Sequence, residues 1–298
     1  MEPKPTDARL SRRRFAAAGM AALGTLAASD RAAPGDATPD APGTLAAAGR
    51  SAGIAGRSAI RSDPDSDLAR IIASECTLVT PETALKPPRL APSEGTFRWE
   101  EAERTFAFAR AHGLSVHGHT LFWYRQPLHW ALRASQGLDL QATVGIFGEV
   151  METVMRRFPE AVSWDVFNEI AGTGRLLRSG APIDRFGVDF LERILHRARA
   201  AAPEAALAIN ENALECRTCQ DKRAKVLALL AALKARAAPI DALGVQGHLS
   251  SRDRPDVAAV RDFLRRVEDL GLVVFLSEMD VNDARLAADD RQRDAEVA

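Results

Sequence analysis

Short apolar runs alternate with longer amphipathic runs along most of this 298-residue chain. The short runs have strand length and favour β-branched and aromatic residues, whereas the longer runs repeat apolar residues at helical spacing. The runs that predict strands are 51–60, 76–80, 114–120, 162–168, 205–210, 242–246 and 272–277. Those that predict helices are 65–73, 99–112, 140–158, 186–202, 218–237 and 254–270. Repeated strand–helix units indicate an α/β fold whose parallel sheet is covered by helices, either doubly wound or closed into a barrel.

Polar residues at the ends of these strands favour the barrel. In a barrel, the carboxyl ends of all strands face one common cleft, where binding and catalytic groups collect. Such residues follow most of the predicted strands: Glu82 and Lys86, His117 and His119, Asn168 and Glu169, Asn210 and Glu211, Gln246 and His248, and Glu278 and Asp280. The first strand is not followed by a GxGxxG or GxxxxGK loop, which argues against a nucleotide-binding sheet. We therefore predict a (β/α)8 TIM-type barrel, with only seven strands present in this chain.

The first fifty residues predict a targeting segment and a linker. Residues 11–15 (SRRRF) precede an apolar, Ala-rich stretch that is too short to span a membrane. An arginine pair in that position resembles a twin-arginine export signal, the alternative being a short basic amphipathic helix. We therefore expect residues 1–33 to be a signal peptide, 34–50 a disordered linker and 51–298 the barrel domain. The protein is expected to be exported, to the periplasm or the medium.

Charge and cysteine content narrow the possible partners. The formal net charge is −1, so no strong field attracts nucleic acid or an anionic membrane, and a neutral substrate is the simpler expectation. Of the three cysteines, Cys216 and Cys219 stand in a CxxC arrangement without the further ligands that zinc would need. A short-range disulfide or free thiols remain as alternatives. We expect no metal and no cofactor.

Two predicted strands end in a glutamate within a specific context. Residues 164–169 (WDVFNE) resemble the acid/base strand of glycoside hydrolase family 10, the endo-1,4-β-xylanases, and residues 276–280 (LSEMD) resemble its nucleophile strand. Residues 118–126 (GHTLFWYRQ) and 244–249 (GVQGHL) are similar to the ends of its third and sixth strands. Weaker matches lie at 81–86 and 210–212, and the resemblance covers roughly residues 54–297.

The resemblance implies a retaining endo-1,4-β-xylanase that cleaves internal xylosidic bonds of xylan by double displacement. Such chemistry needs two carboxyl groups about 5 to 5.5 Å apart, and the family assigns acid/base catalysis to Glu169 and nucleophilic attack to Glu278. The implied substrate-binding residues are Glu82, Lys86, His119, Trp123, Asn168, Gln246 and His248, with Asp280 and Asn210 supporting them. The expected partner is xylan or a xylo-oligosaccharide, and the expected oligomeric state is a monomer.

Asn168 and Glu169 are adjacent, although ideal strand alternation would direct them to opposite faces. If both serve the same cleft, the backbone must leave the regular pleat between them. We therefore predict a bend or bulge at this point.

Several positions depart from the family pattern and keep other functions open. The family has Asn at the position of Thr83, Trp at Pro87, His at Tyr124 and usually Asp at Glu211. The seventh strand is followed by polar, helix-prone residues 281–298 and no eighth strand, so we expect a barrel that is incomplete at its C-terminus. The alternatives are a catalytically impaired carbohydrate-binding remnant and a hydrolase of another β-1,4-linked glycan. Taken singly, either glutamate could be an ion-pair partner at the rim, and His119 or His248 a core histidine.

Overall fold

The computed structural model describes residues 57–60, 66–172, 176–178, 182–250 and 255–283. The predicted signal peptide and linker lie outside the described residues. Seven of the described strands follow one another in a continuous parallel sheet, as the sequence predicts. They are β1 (Arg57–Ile60), β2 (Leu78–Pro81), β3 (Ser115–Gly118), β5 (Ala161–Asn168), β6 (Ala206–Glu211), β7 (Ala242–Val245) and β9 (Val273–Leu276), paired in that order.

Three shorter strands were not predicted. β4 (Phe122–Trp123) pairs with β5, and β8 (His248–Ser250) pairs with β10 (Asp280–Asn282) in a separate parallel ladder. These strands are two or three residues long, too short to show a period of two. All three lie where the main strands end, so they fix the chain segments that form the cleft.

Helices cover the main sheet from outside. They are α1 (Asp67–Glu75), α2 (Pro87–Leu90), α3 (Glu100–Ala111), α4 (His129–Ala134), α5 (Leu140–Arg157), α6 (Ile183–Ala201), α7 (Gln220–Ala235) and α8 (Val257–Asp269). The six long helices confirm the predicted ones, whereas α2 and α4 are too short for periodicity to reveal. Gly113 and Gly271, which follow α3 and α8, have φ of 65° and 81°, the left-handed conformation that glycine commonly adopts after a helix. Asp139 caps α5, accepting a hydrogen bond from Ala142 N at 2.8 Å.

An aromatic cluster lies between the sheet and helices α5 and α6. Phe122 of β4 stands 5.6 Å from Phe167 of β5, and Phe147 of α5 stands 5.8 Å from Phe190 of α6, measured between ring centroids. All four rings are buried. Burying an aromatic side chain stabilises a fold by roughly 1.5–3 kcal/mol, so this cluster firmly anchors the ends of β4 and β5.

Cys216 and Cys219 form a disulfide bond just before α7, which decides between the alternatives that the sequence left open. Cys76 is a free thiol and only partly buried. Burial, aided by the neighbouring Glu75, raises the pKa of the Cys76 thiol.

Candidate active site

A cleft of about 320 Å³ opens at the carboxyl ends of the main strands. Its lining residues come from most of the strand ends: Lys86, His119, Trp123, Arg125, Asn168, Glu169, Asn212, Gln246, His248 and Glu278. Eight of these ten were predicted, including both candidate catalytic glutamates. The fold therefore brings together residues that lie up to 192 positions apart in the chain, from Lys86 to Glu278.

The backbone turns sharply at Glu169. Strand β5 ends at Asn168, and Glu169 has a φ of 56°, which confirms the predicted bend. A left-handed conformation costs a residue other than glycine about 1 kcal/mol or more, so surrounding contacts must hold it. One such contact is the hydrogen bond from Glu169 N to Asn210 O at 2.7 Å. Because of this turn, Asn168 and Glu169 both face the cleft.

Gln246 contacts the side chains of both Asn168 and Glu169. Its Nε2 donates to Asn168 Oδ1 at 3.2 Å and lies 3.4 Å from Glu169 Oε1. Glu169 Oε2 is buried and receives no hydrogen bond from the described residues. The charged group that the described residues place near this oxygen is Arg125, whose Nε lies 3.6 Å away.

Glu278 is surrounded by hydrogen-bond donors. Asn210 Nδ2 donates to Glu278 Oε1 at 2.7 Å, and His248 Nε2 lies 3.4 Å from Oε2. Ser277 Oγ donates to Asn210 Oδ1 at 2.6 Å, so the orientation of the amide is fixed with its NH₂ towards Glu278. The sequence predicted a supporting role for Asn210, and the structure places its amide directly on the carboxylate.

Gly244 leaves room for that amide. A Cβ at Gly244 would lie 2.4 Å from Asn210 Oδ1, which is closer than atoms can approach. A residue without a side chain is therefore needed beside Asn210 on the neighbouring strand.

Asp280, for which the family resemblance implied a supporting role, stands behind His248. Its Oδ2 lies 3.1 Å from His248 Nδ1. Burial of the imidazole disfavours its charged form, but the carboxylates of Asp280 and Glu278 outweigh that effect and raise the pKa of His248. His248 is thus held between two carboxylates, with one ring nitrogen towards each.

Asp165 is a buried carboxylate within residues 164–169, and its position there predicts no role by itself. Its Oδ2 lies 2.8 Å from His117 Nε2 and 2.8 Å from His119 Nδ1. Complete burial works against ionisation, yet these two histidines hold the pKa of Asp165 well below its usual value. An ionised carboxylate only accepts hydrogen bonds, so His119 presents its Nδ1–H to Asp165 and turns its other nitrogen away from it. The same His119 Nδ1 lies 4.0 Å from Glu278 Oε1.

Glu211 has a structural position rather than a place in the cleft. Fully buried, it accepts a hydrogen bond from Lys222 Nζ at 2.5 Å and another from Ala171 N at 2.7 Å. Burial raises the pKa of Glu211, and the Lys222 ammonium opposes that rise. Asn210 and Glu211 are consecutive in β6, so alternation directs one to the cleft and the other away from it.

Glu82 is the predicted substrate-binding residue that does not line the cleft. It is partly buried after β2, next to Thr83, whose Oγ1 donates to Glu101 Oε1 at 3.2 Å. Lys86, a few residues on, does line the cleft and holds its ammonium 4.9 Å from the centre of the Trp123 ring. The role of Glu82 stays a prediction.

Arg125 and Asn212 line the cleft but were not predicted to do so. Arg125 Nε stands 3.6 Å from Glu169 Oε2, and its side chain is 60% exposed. Asn212 Oδ1 accepts a hydrogen bond from Arg178 at 3.4 Å. Both lie inside motifs that carry the family resemblance, at positions for which the resemblance implied no role.

The described residues contain no group of three or more His, Cys, Asp or Glu side chains placed to hold a metal ion. The helices in the described ranges are also too short or too polar to cross a membrane. The cleft instead presents two carboxylates in unlike settings, several hydrogen-bond donors and one aromatic face. Such a set can bind hydroxyl-rich molecules and carry out acid/base and nucleophilic chemistry.

Comparison with known proteins gives consistent matches. The profile of glycosyl hydrolase family 10 matches residues 44–297. The chain is 33% identical over 223 residues to an endo-1,4-beta-xylanase of Geobacillus stearothermophilus, an alignment that covers 72% of this chain and 65% of that protein. It is 30% identical over 237 residues to endo-1,4-beta-xylanase C of Paenibacillus barcinonensis, covering 74% of this chain and 22% of the relative.

A solved structure of a GH10 protein from Paenibacillus barcinonensis superposes with a TM-score of 0.70 at 28% identity, covering 76% of this chain and 69% of that one. The chain spans about a fifth of the length of several curated relatives it matches.

Proposed function

The chain belongs to glycosyl hydrolase family 10, and from this premise we propose that it is a retaining endo-1,4-β-xylanase that hydrolyses internal xylosidic bonds of xylan. The observation that carries the proposal is the pair Glu169 and Glu278 in one cleft, at the ends of β5 and β9, with different hydrogen-bond partners. A retaining glycosidase needs two carboxyl groups with two different tasks.

In the first step, Glu278 attacks the anomeric carbon while Glu169 gives its proton to the departing glycosidic oxygen. The bond between sugar and leaving group breaks, and a covalent glycosyl–enzyme ester forms on Glu278. In the second step, Glu169 accepts a proton from water, the water oxygen attacks the same carbon, and Glu278 leaves as a carboxylate. Two inversions give net retention.

The neighbours of Glu278 suit the attacking role. Asn210 and His248 approach different oxygens of the carboxylate, so its orientation is set before substrate binds. Ser277 and Asp280 in turn fix the amide and the imidazole. Preorganised groups of this kind lower the barrier because they need not reorient during the reaction.

The remaining lining residues support binding of the sugar next to the cleavage point. Trp123 offers an apolar ring on which a pyranose can lie, and Lys86, His119 and Gln246 offer donors for its hydroxyl groups. Asn168, adjacent to the acid/base residue, is suited to the 2-hydroxyl of that sugar, a contact that strengthens in the transition state.

Replacement of Glu278 tests the proposal. We expect Glu278→Ala to lower the release of reducing ends from xylan by at least about 10⁴-fold, because the nucleophile is lost. Glu94→Ala, which removes an exposed carboxylate away from the cleft, is the matched control and should retain full activity. Equal activity of the wild type and Glu278→Ala would overturn the assignment.

A panel of soluble β-1,4-linked glycans decides between the other candidates. Turnover of a different glycan in preference to xylan would make the chain a hydrolase of that substrate. Binding without turnover, in a protein that melts cooperatively, would identify a carbohydrate-binding remnant.

We also propose that residues 1–33 direct export by the twin-arginine route, on the basis of the SRRRF motif and the apolar stretch behind it. Replacing Arg12 and Arg13 by lysine should leave the full chain in the cytoplasm, as measured by fractionation. Unchanged export would contradict this proposal.

A further inference from the structure

Two arginines and a tyrosine form a cationic cluster beside Glu169, defined by Tyr124, Arg125 and Arg178. Arg125 Nε donates to Tyr124 Oη at 2.9 Å, and the Arg178 guanidinium lies 4.8 Å from the centre of the tyrosine ring. Arg178 is itself held by Asn212, a residue that lines the cleft. The cluster is therefore an ordered part of the cleft rim.

Arg125 has donors to spare. Only its Nε is engaged by Tyr124, and the described residues offer no hydrogen bond to its two Nη groups. Its side chain is 60% exposed and lines the cleft, so a bound molecule can reach it. The planar fork of a guanidinium matches the two oxygens of a carboxylate better than any other side chain does.

The charge beside Arg125 changes with the reaction state. The nearest carboxylate is Glu169, at 3.6 Å. Glu169 must be protonated when it acts as the acid, and it then carries no charge to balance the guanidinium. Arg125 and Arg178 both lie against the Tyr124 ring, so in the reactive state two guanidinium groups stand beside a carboxyl group without charge, although the whole chain has a net charge of −1.

We propose that Arg125 binds a carboxylate carried by a sugar branch close to the scissile bond, so that the enzyme favours xylan with uronic acid branches over neutral xylan. This inference rests on the proposed function, since it names a substrate class for the same cleft. Neutral xylan stays a substrate, because the residues that bind the backbone sugars contact the hydroxyl groups of those sugars and need no carboxylate on the substrate.

The experiment compares three oligosaccharides with one xylan backbone: a linear one, one with a single glucuronic acid branch, and one in which that carboxyl group is reduced to an alcohol. The quantity measured is the ratio of kcat/KM for the acidic branch to that for the reduced branch, which have the same shape. We expect a ratio above one that decreases at high ionic strength.

Arg125→Gln should lower that ratio about fivefold, the upper end for a solvent-exposed ion pair. Arg125→Lys should lower it less, because the charge remains and the fork is lost. Arg133→Gln, which removes an exposed arginine away from the cleft, should leave the ratio unchanged. A wild-type ratio of one, or the same ratio in Arg125→Gln, would overturn the inference while the xylanase proposal stands.

If none of the three is cleaved, the proposed function fails. The dissociation constants of the two branched oligosaccharides, measured by calorimetry on the Glu278→Gln protein, then give the ratio without turnover. A preference for the acidic branch that depends on Arg125 would still support a carboxylate site, and equal binding would reject it.

Discussion

The two candidate catalytic glutamates occupy opposite kinds of environment. Glu169 follows β5, a strand with neighbours on both sides, and its side chain is 7% exposed. Glu278 follows β9, an edge of the sheet among the described residues, and its side chain is 32% exposed. Leu276 and Met279, on either side of that glutamate, are 56% and 65% exposed.

Each glutamate is held in place by a different kind of interaction. The acid/base side is held by packing, since Trp164, Val166 and Phe167 of β5 are fully buried. The nucleophile side has little apolar burial, and its geometry depends on hydrogen bonds from Asn210 and His248. The position of the carboxylate therefore depends on polar neighbours on the β9 side and on packing on the β5 side.

The largest expected effects distinguish the tasks of the two glutamates. Glu169→Ala should lower hydrolysis of xylan by about 10³-fold, within the usual range for general acid catalysis. The loss should be far smaller for an aryl xylobioside whose leaving group needs no proton, whereas Glu278→Ala should lose activity on both substrates.

Added azide provides an independent check of the same assignment. It can attack the glycosyl ester in Glu169→Ala, which gives a β-glycosyl azide. In Glu278→Ala it can replace the nucleophile, which gives the α-anomer. Product anomers of the opposite assignment, read by NMR, would exchange the two roles.

The next largest effect is on the free energy of unfolding, at the buried ion pair between Lys222 and Glu211 at the end of β6. Lys222→Met should lower the free energy of unfolding by about 3 kcal/mol, because Glu211 would be left buried without its counter-charge. Unfolding in urea measures this, and the double variant Lys222→Met, Glu211→Gln is the control, expected to recover much of the loss. A single variant as stable as the wild type would mean that the ion pair is not needed.

The same variant should respond to pH in a defined direction. Burial raises the pKa of Glu211 in the folded state, and loss of Lys222 removes the charge that opposes this rise. A group with a raised folded pKa contributes stability below its unfolded pKa and loses it as pH rises through the folded value. The melting temperature of Lys222→Met should therefore lie closer to that of the wild type at pH 5 than at pH 7.5.

Replacing the residues that orient the Glu278 carboxylate should have moderate effects on kcat. Asn210→Ala should lower kcat for xylan by roughly 10- to 100-fold, the value of a hydrogen bond to a charged group. Ser277→Ala should cost less, because it only orients the amide. An equal loss in both variants would show that orientation, rather than the direct hydrogen bond, controls the rate.

Much of this arrangement could be predicted because the chain order of strands is also their order in the sheet. The periodicity revealed all seven main strands, and the polar residues after them therefore met in one cleft. Regular alternation within β6 separates Asn210, which contacts Glu278, from Glu211, whereas the turn at Glu169 overrides alternation after β5.

Other features depend on contacts between strands that the sequence does not specify. Asp165 is an acidic residue within an apolar run, and its importance follows only from its two histidine partners, His117 in β3 and His119 directly after it. The direction of Arg125 depends on β4, a strand of two residues. Its position beside Glu169 could not be read from spacing, because the two belong to different strand ends.

The smallest expected effect is at the exposed end of the nucleophile side. Asp280 and Glu278 raise the pKa of His248, so the charged imidazole stabilises the fold below the unfolded pKa of histidine, and this contribution is lost as pH rises through the higher folded value. Asp280→Asn should remove part of it, changing the free energy of unfolding at pH 6 by no more than about 1 kcal/mol, because both side chains are largely exposed. It should also lower the pKa of His248 in an NMR titration, whereas Asp269→Asn, on the exposed side of α8, should not. An unaltered pKa of His248 in Asp280→Asn would mean that Glu278 alone raises this pKa. Asp280 would then have no part in holding the nucleophile through His248.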